Sequence, residues 1–394
     1  MIKIQISIFI FVFTFCNIQG SFSDFFLKDY WLAENIAKRD GYPIETHAVT
    51  TEDGYILTVH RIPGSEGGQP ILIQHGLLGN SALWIVSGKA HSLAYILADQ
   101  GYDVWLGNIR GNTQGMNHIN LTTSDSEFWD FSYHEMAVYD LPAMINYIHA
   151  LTNRYPFYIG HSQGGAMFYI LASEVPDVAN TVKLSIGLAP VAYKSDMWDP
   201  VLRLISNILR KIDDVLSIVF NIQTFMTPFW PLFLLRLLCA VLSIGNYNCL
   251  DLFPTLVGAE RPELFDQAIL PAVAANFPAG TSKKNMRLYA QLMQTDRFER
   301  YDYGETKNLE IYNSPIPPEY DLKKVTQPHA IFLADADVFA HLPDLNKLFN
   351  LLPNIVDEHL VNASGFSHMD FLWGSKSRDV IYPRILELID RYNN

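Results

Sequence analysis

A serine in a Gly-x-Ser-x-Gly pattern is the residue of this chain best placed to do chemistry. The stretch Gly160-His161-Ser162-Gln163-Gly164 follows an apolar run at 156–159 and precedes a helix-like run at 166–173. A sharp strand-to-helix turn in this context lifts the serine hydroxyl above a sheet, and the glycines let neighbouring backbone pass where a Cβ would clash. The alternative is a glycine-rich turn with an incidental serine. The context favours Ser162 as a nucleophile.

A serine nucleophile in this setting needs an acid and then a histidine, in that chain order. His329 and His359 lie in strand-like runs, and His341 falls shortly after the candidate acids. His368 lies on a Gly/Ser-containing loop at 364–370, where a base can reach over the edge of a sheet. We therefore predict His368 as the general base, with a surface-loop histidine as the alternative.

Two carboxylates, Asp335 and Asp337, end an apolar run that begins at residue 330. The outer one can reach a histidine on the next loop, whereas a residue two positions earlier is still within or at the end of the strand. Asp337 is the predicted acid and Asp335 the alternative. In this arrangement Asp337 fixes the tautomer of His368, which takes the proton of Ser162.

Two backbone N–H groups are predicted to hold the developing oxyanion. The helix after Ser162 aims its first N–H groups at that place, and Gln163 supplies one of them. The other belongs to Leu77, in the His75–Gly79 loop that follows a continuous apolar run at 70–74. A glycine there lets the chain turn tightly and point an N–H inward.

The elements that must position these residues alternate between strand and helix. An early hairpin at 50–62 precedes the buried-strand runs at 70–74, 102–106, 156–159, 183–190 and 330–337, with helical runs at 90–100, 135–150 and 380–391. This order predicts a mostly parallel, doubly wound α/β sheet. From 195 to 314 the apolar segments have helical spacing without strand partners, which predicts an inserted helical cap between the core segments 21–194 and 315–394.

The amino terminus and the cysteines indicate the secretory pathway. Residues 1–20 have a positive start at Lys3 and an apolar run, as a signal peptide does, with a buried first strand as the alternative. Cys16 would leave with that segment. Cys239 and Cys249 could then close a short loop in an oxidising compartment or remain free thiols. Sequons at Asn120 and Asn362 agree with a secreted or lysosomal glycoprotein.

Composition excludes several other classes of protein. The chain has 394 residues, is 49% hydrophobic and carries a formal charge of −13 without a basic run, so nucleic acid is not an expected partner. The strongest apolar stretch, at 228–245, is interrupted by Pro231 and Arg236, so no transmembrane helix is expected. No phosphate loop, metal-ligand cluster or dinucleotide fingerprint appears, so no metal or cofactor is expected.

Over nearly all of the mature chain, the sequence resembles the acid lipase family of gastric and lysosomal lipases and their invertebrate relatives. The matching stretches lie at 51–62, 74–78, 101–113 (GYDVWLGNIRGNT), 127–142 (EFWDFSYHEMAVYDLP), 160–164, 277–286 (FPAGTSKKNM) and 368–373 (HMDFLW). The resemblance implies an α/β-hydrolase fold, the catalytic residues Ser162, Asp337 and His368, and oxyanion donors at Leu77 and Gln163. It also implies a cap disulfide between Cys239 and Cys249.

The expected function is hydrolysis of carboxylic esters of neutral lipids, triacylglycerols or cholesteryl esters, at a lipid–water interface. One alternative is an esterase for small soluble esters with the same residues, and another is a non-catalytic lipid-binding protein. The insertion at 195–314 carries many aromatic and leucine residues, so we expect a cap and lid over Ser162, with an ordinary helical subdomain as the alternative. No obligate protein partner is evident.

Overall fold

The computed structural model describes residues 28–194, 224–225 and 266–393. The predicted signal peptide, the apolar stretch at 228–245, both cap cysteines and most aromatic residues of the predicted cap lie outside these residues. The predictions made for them remain predictions.

The core is a sheet whose strands follow one another in the order β1-β2-β4-β3-β6-β7-β10-β11, with β5 paired to β2. The strands of this sheet are β1 Glu45–Thr50, β2 Tyr55–Ile62, β3 Pro70–Gln74, β4 Asp103–Gly107, β5 Asn117–His118, β6 Phe157–His161, β7 Ser185–Leu188, β10 His329–Leu333 and β11 Ile355–Leu360. Two short strands, β8 Thr224–Phe225 and β9 Thr281–Ser282, pair separately. β2 pairs antiparallel with β1, β4 and β5, whereas β4, β3, β6, β7, β10 and β11 pair in parallel in that order.

The described residues also form helices of seven residues or more. They are α1 Ala33–Arg39, α2 Leu93–Asp99, α3 Leu141–Thr152, α4 Gln163–Glu174, α5 Leu270–Asn276, α6 Lys283–Leu292, α7 Glu305–Tyr312, α8 Leu342–Leu351 and α9 Tyr382–Asn393. Shorter α-helical turns lie at Gly88–His91, Tyr133–Glu135, Pro176–Ala179, Asp370–Trp373 and Ser377–Val380. Single 3₁₀ turns lie at Lys28–Trp31, Ser81–Trp84, Glu127–Trp129, Gln267–Ile269 and Leu322–Lys324.

The central strands are buried along their whole length, as continuous apolar runs predict. Every residue of β3, β4, β6, β7 and β10 is buried. A strand covered on both faces has no solvent side, so its sequence shows no alternation of polar and apolar residues. The edge strand β11 differs, because its residues are half-buried or exposed. Parallel strands end at a common edge, and the segments that follow β3, β6, β10 and β11 carry the candidate site residues.

Three details differ from the sequence prediction. The helix expected at 90–100 is broken at Ser92, whose backbone is extended. The helix expected at 135–150 contains a π-helical segment, Met136–Asp140, immediately before α3, and Pro142 is the second residue of α3. The strand expected to run to residue 337 ends at Leu333, so Asp335 and Asp337 lie in the loop after β10.

Candidate active site

Ser162 lies in a tight turn between β6 and α4. Its backbone has φ 55° and ψ −118°, a conformation that costs energy for a residue with a Cβ and that is found at functional sites. The turn depends on glycine at both flanks. A Cβ on Gly160 would lie 2.5 Å from the carbonyl carbon of Gly164, and one on Gly164 would lie 2.6 Å from the carbonyl oxygen of Gln74. Ser162 is 8% exposed, so its surroundings are largely dry.

His368 and Asp337 meet although they lie in different loops. His368 Nδ1 is 2.7 Å from Asp337 Oδ2, and both side chains are buried. The other carboxylate oxygen of Asp337 accepts hydrogen bonds from the backbone N–H groups of Phe339 and Ala340, each at 2.8 Å. These bonds hold the carboxylate in one orientation, so the imidazole has a fixed acceptor for its Nδ1 proton.

Asp335, the alternative acid, is exposed to solvent. The prediction that both aspartates end the strand is wrong, because the strand stops before them and a turn follows. That turn points Asp337 inward to the N–H groups of Phe339 and Ala340.

Hydrogen bonds on both sides of His368 hold the loop that carries it. His161, next to Ser162, has its Nε2 2.9 Å from the carbonyl oxygen of His368, so this ring nitrogen donates the hydrogen bond. Asp370 Oδ2 accepts from the backbone N–H and the hydroxyl of Ser367, at 2.8 and 2.9 Å. The imidazole of His368 is therefore held beside the end of β6, where the chain enters the Ser162 turn.

Leu77 lies in the turn after β3, which is held by contacts from other parts of the chain. Asn112 Nδ2 donates to the carbonyl oxygen of Gly79 at 3.2 Å and to His75 Nε2 at 3.1 Å. Leu78 has φ 60°, and its carbonyl oxygen accepts a hydrogen bond from the N–H of Ala279 at 2.6 Å. The turn is thereby fixed independently of any ligand.

Gln163 is the first residue of α4, so its backbone N–H belongs to the N-terminal donors that have no acceptor within the helix. Its side chain is completely buried. The carbonyl oxygen of that side chain accepts hydrogen bonds from Asn285 Nδ2 at 3.0 Å and from the hydroxyl of Tyr289 at 2.9 Å.

Burial keeps the other histidines near the site neutral under acidic conditions. Burial lowers the pKa of His75 to about 4, because the charged ring would lose its hydration. Burial, with the neighbouring His368 and His75 adding to the effect, holds the pKa of His161 well below its ordinary value. Neutral His75 accepts from Asn112 at Nε2, which leaves Nδ1 to donate to the carbonyl oxygen of Gly76 at 2.8 Å.

The remaining histidines considered from sequence lie away from this arrangement. His329 is buried at the start of β10, where its Nε2 is 2.8 Å from the hydroxyl of Tyr169. His359 is on the edge strand, with its Nε2 3.2 Å from the carbonyl oxygen of Val380. His341 immediately precedes α8. The sequon residues Asn120 and Asn362 are both exposed.

Four residues around the site were not predicted from the sequence: His161, Asn112, Asn285 and Tyr289. Asn285 and Tyr289 are four residues apart on α6, so they lie on one face of that helix. Asn285 belongs to the stretch that resembles the acid lipases, which was the available signal. Within the described ranges, no group of three or more His, Cys, Asp or Glu residues is arranged to hold a metal ion. No helix of the described segments is long and apolar enough to cross a membrane.

Comparisons with known proteins agree with the fold and with the resemblance seen in sequence. A model of the partial α/β-hydrolase lipase region matches residues 33–88, and a model of the α/β hydrolase fold matches residues 69–212. Lipase 1 of Drosophila melanogaster is 36% identical over 362 residues, covering 91% of this chain and 79% of that protein. Lysosomal acid lipase/cholesteryl ester hydrolase of Homo sapiens is 35% identical, covering 89% of each chain.

One further relative and one solved structure extend the comparison. Gastric triacylglycerol lipase of Bos taurus is 35% identical, covering 89% of this chain and 88% of that protein. Among solved structures, a soluble variant of monoglyceride lipase from Saccharomyces cerevisiae superposes with a TM-score of 0.53 at 15% identity, covering 89% of this chain and 95% of that one. At that identity the likeness concerns the fold alone.

A parallel sheet with a serine on a strained strand-to-helix turn at its carboxyl edge defines an α/β hydrolase. Within this class the chain belongs to the acid lipase family, because relatives of that family match it at about 35% identity over most of its length. It is therefore a carboxylic ester hydrolase of the lipase type, and the predictions of fold, family and enzyme class are confirmed.

Proposed function

We propose that this lipase hydrolyses ester bonds of neutral lipids, triacylglycerols or cholesteryl esters, with Ser162, His368 and Asp337 as its catalytic triad. The observation that carries the proposal is the backbone of Ser162, held at φ 55° on the edge of the sheet where the bonded pair His368–Asp337 also lies. Such strain persists only when the surroundings impose it.

In the first half-reaction the Ser162 hydroxyl oxygen attacks the ester carbonyl carbon, and His368 Nε2 takes the hydroxyl proton. Asp337 binds Nδ1–H, so Nε2 is the nitrogen that can accept. The N–H groups of Leu77 and Gln163 stabilise the negative oxygen of the tetrahedral intermediate. When the intermediate collapses, His368 returns the proton to the leaving alcohol, and an acyl group remains on Ser162.

In the second half-reaction water replaces the alcohol. His368 takes a proton from the water while its oxygen attacks the acyl carbon, and the same two N–H groups hold the second oxyanion. Collapse releases the fatty acid and returns the proton to Ser162. The cycle needs no metal or cofactor, because every proton and electron pair is exchanged among ester, water and these side chains.

The substrate class is supported by two relatives, whose names record cholesteryl ester hydrolysis and triacylglycerol hydrolysis. We also propose the secretory pathway as the location, extracellular or lysosomal, and a cap formed by the insertion at 195–314. A cap over Ser162 would contact lipid through the apolar surface of the cap, and it would enclose the acyl chain of the bound substrate.

The test of substrate class is a hydrolysis panel of emulsified triacylglycerol, emulsified cholesteryl ester and a short soluble ester, each from acidic to neutral pH. Ser162→Ala serves as the control for background hydrolysis. We expect turnover of the emulsified esters, rising steeply when a substrate passes its solubility limit. Turnover of the soluble ester alone would assign an esterase instead, and no turnover with any ester would favour a non-catalytic protein.

The cap is tested by a charged substitution, Phe229→Glu. It should impair turnover of emulsified substrate more than turnover of the soluble ester, because a charge opposes contact with lipid. Equal impairment of both substrates, in a protein folded by circular dichroism, would contradict the lid and favour an ordinary helical subdomain.

A further inference from the structure

The segment 279–289 runs into α6. It contacts both parts of the predicted oxyanion hole, the turn that carries Leu77 and the residue Gln163. Three of its residues, Ala279, Asn285 and Tyr289, make the contacts, and we call this set the oxyanion brace. Ala279 donates its backbone N–H to the carbonyl oxygen of Leu78 at 2.6 Å. Asn285 and Tyr289 donate to the side-chain oxygen of Gln163 at 3.0 and 2.9 Å. All three residues are buried.

The brace is itself fixed to the core. Ser282 caps α6 by accepting from the N–H of Asn285 at 3.0 Å, and its hydroxyl donates to the carbonyl oxygen of Phe131. Asn285 Oδ1 accepts from the N–H of Tyr133 at 2.9 Å. Tyr133 belongs to the short helical turn before α3. The brace is therefore hydrogen-bonded to the segment that leads into α3 through two backbone groups, the carbonyl oxygen of Phe131 and the N–H of Tyr133.

Gln163 has no freedom to shift independently of this network. Its side-chain oxygen carries two donors, and its side-chain nitrogen lies 3.3 Å from the sulfur of Met136. Because the side chain is anchored, rotation about the Ser162–Gln163 peptide would stretch these buried bonds. Breaking a buried hydrogen bond leaves an unsatisfied polar group, which opposes such movement.

We propose that Asn285 and Tyr289 are positioning residues that orient the backbone N–H of Gln163 for oxyanion binding. Through Ala279 the same segment fixes the turn that carries Leu77, so one helix and its leading loop set the separation of the two donors. Oxyanion donors contribute most when they are held in place before the charge develops. The inference rests on the proposed roles of Ser162, Gln163 and Leu77.

The test is Tyr289→Phe, which removes the donor to Gln163 and keeps the ring. We expect kcat on a short soluble ester to fall about three- to tenfold with KM unchanged, because one of the two bonds that hold Gln163 is lost and the effect is confined to the transition state. The inhibition constant of a boronic acid, whose adduct with serine is a tetrahedral boronate anion that places an oxygen in the oxyanion hole, should rise by the same factor. A merely structural role would leave this constant unmoved.

Tyr169→Phe is the matched control. Tyr169 is also buried, and its hydroxyl also lies at hydrogen-bond distance from a side chain, but from His329 Nε2 at 2.8 Å rather than from Gln163. Its replacement should lower stability without lowering kcat. In a Gln163→Leu background, which has no side-chain acceptor to hold, Tyr289→Phe should have no further effect on kcat.

The inference would be overturned by an unchanged kcat in folded Tyr289→Phe, by an unchanged inhibition constant of the boronic acid, or by the same loss in both backgrounds. If Tyr289→Phe does not fold, Asn285→Asp replaces it. That variant keeps the oxygen that accepts from Tyr133 and removes the donor to Gln163, so it should lower kcat by at least as much, and an unchanged kcat would overturn the inference. Activity that survives Ser162→Ala would instead contradict the proposed catalytic mechanism. A failure of that mechanism can therefore be distinguished from a failure of the inference about Asn285 and Tyr289.

Discussion

Replacing Asp337 by asparagine should nearly abolish ester hydrolysis while leaving the fold intact. The Asp337 carboxylate accepts two backbone N–H groups at 2.8 Å on one oxygen and His368 Nδ1 at 2.7 Å on the other. Asparagine has a single acceptor oxygen, which stays with the two N–H groups. Its amide nitrogen then faces His368 and donates to Nδ1.

The imidazole of the variant must therefore carry its proton on Nε2. Because Nε2 already holds a proton, it cannot accept the proton of Ser162. In serine hydrolases the wrong tautomer costs about 10³- to 10⁴-fold in kcat, or about 4 to 5.5 kcal/mol of barrier. The backbone contacts of residue 337 are kept, so thermal unfolding should change little.

The assay is the initial rate on a short soluble ester, which avoids any contribution of the lipid interface. Asp335→Asn is the matched control, because Asp335 lies in the same loop and is exposed. It should retain wild-type kcat. A loss below tenfold for Asp337→Asn, or an equal loss for Asp335→Asn, would refute the assignment of the acid.

Three further predictions concern other parts of the chain. Ser162→Ala and His368→Ala should each remove nearly all turnover and the double variant little more, because the residues act as a unit; a tenth of wild-type kcat in His368→Ala would exclude it as the base. Burial lowers the pKa of His329 to about 3 from its ordinary 6.5, so only the unfolded chain binds this proton and stability falls as pH drops between these values. His329→Gln should remove roughly 2 kcal/mol of that loss over two pH units within this window, measured as a smaller shift in urea midpoint, and equal shifts would contradict it. Cys239 and Cys249 should be bridged in the mature protein, so thiol titration of denatured, unreduced protein should find no free thiol; two reactive thiols would exclude the bridge.

Local patterns in the sequence were sufficient to predict the buried strands of the sheet. Continuous apolar runs such as 70–74 form buried strands because both faces are covered, and the spacing of glycines around Ser162 reflects two backbone contacts that leave no room for a Cβ. These properties depend on neighbours in sequence or on burial alone. The fold class could therefore be predicted.

Contacts between distant residues could not be predicted in the same way. The end of β10 was placed too late, because a run of small and acidic residues does not show where pairing with β7 and β11 stops. The contacts of Gln163 with Asn285 and Tyr289 join positions more than a hundred residues apart, and no periodicity relates them. The family stretch at 277–286 marked the region, and only the folded chain shows which side chains meet.

The central claim, that Ser162 is the nucleophile of an ester hydrolase, is tested most directly by labelling with an active-site-directed phosphonate and locating the adduct by mass spectrometry. We expect a single adduct on the peptide that contains Ser162, with activity lost in proportion to labelling and no adduct in Ser162→Ala. Loss of activity with the label on a different residue, or full activity in a chain labelled at Ser162, would contradict it.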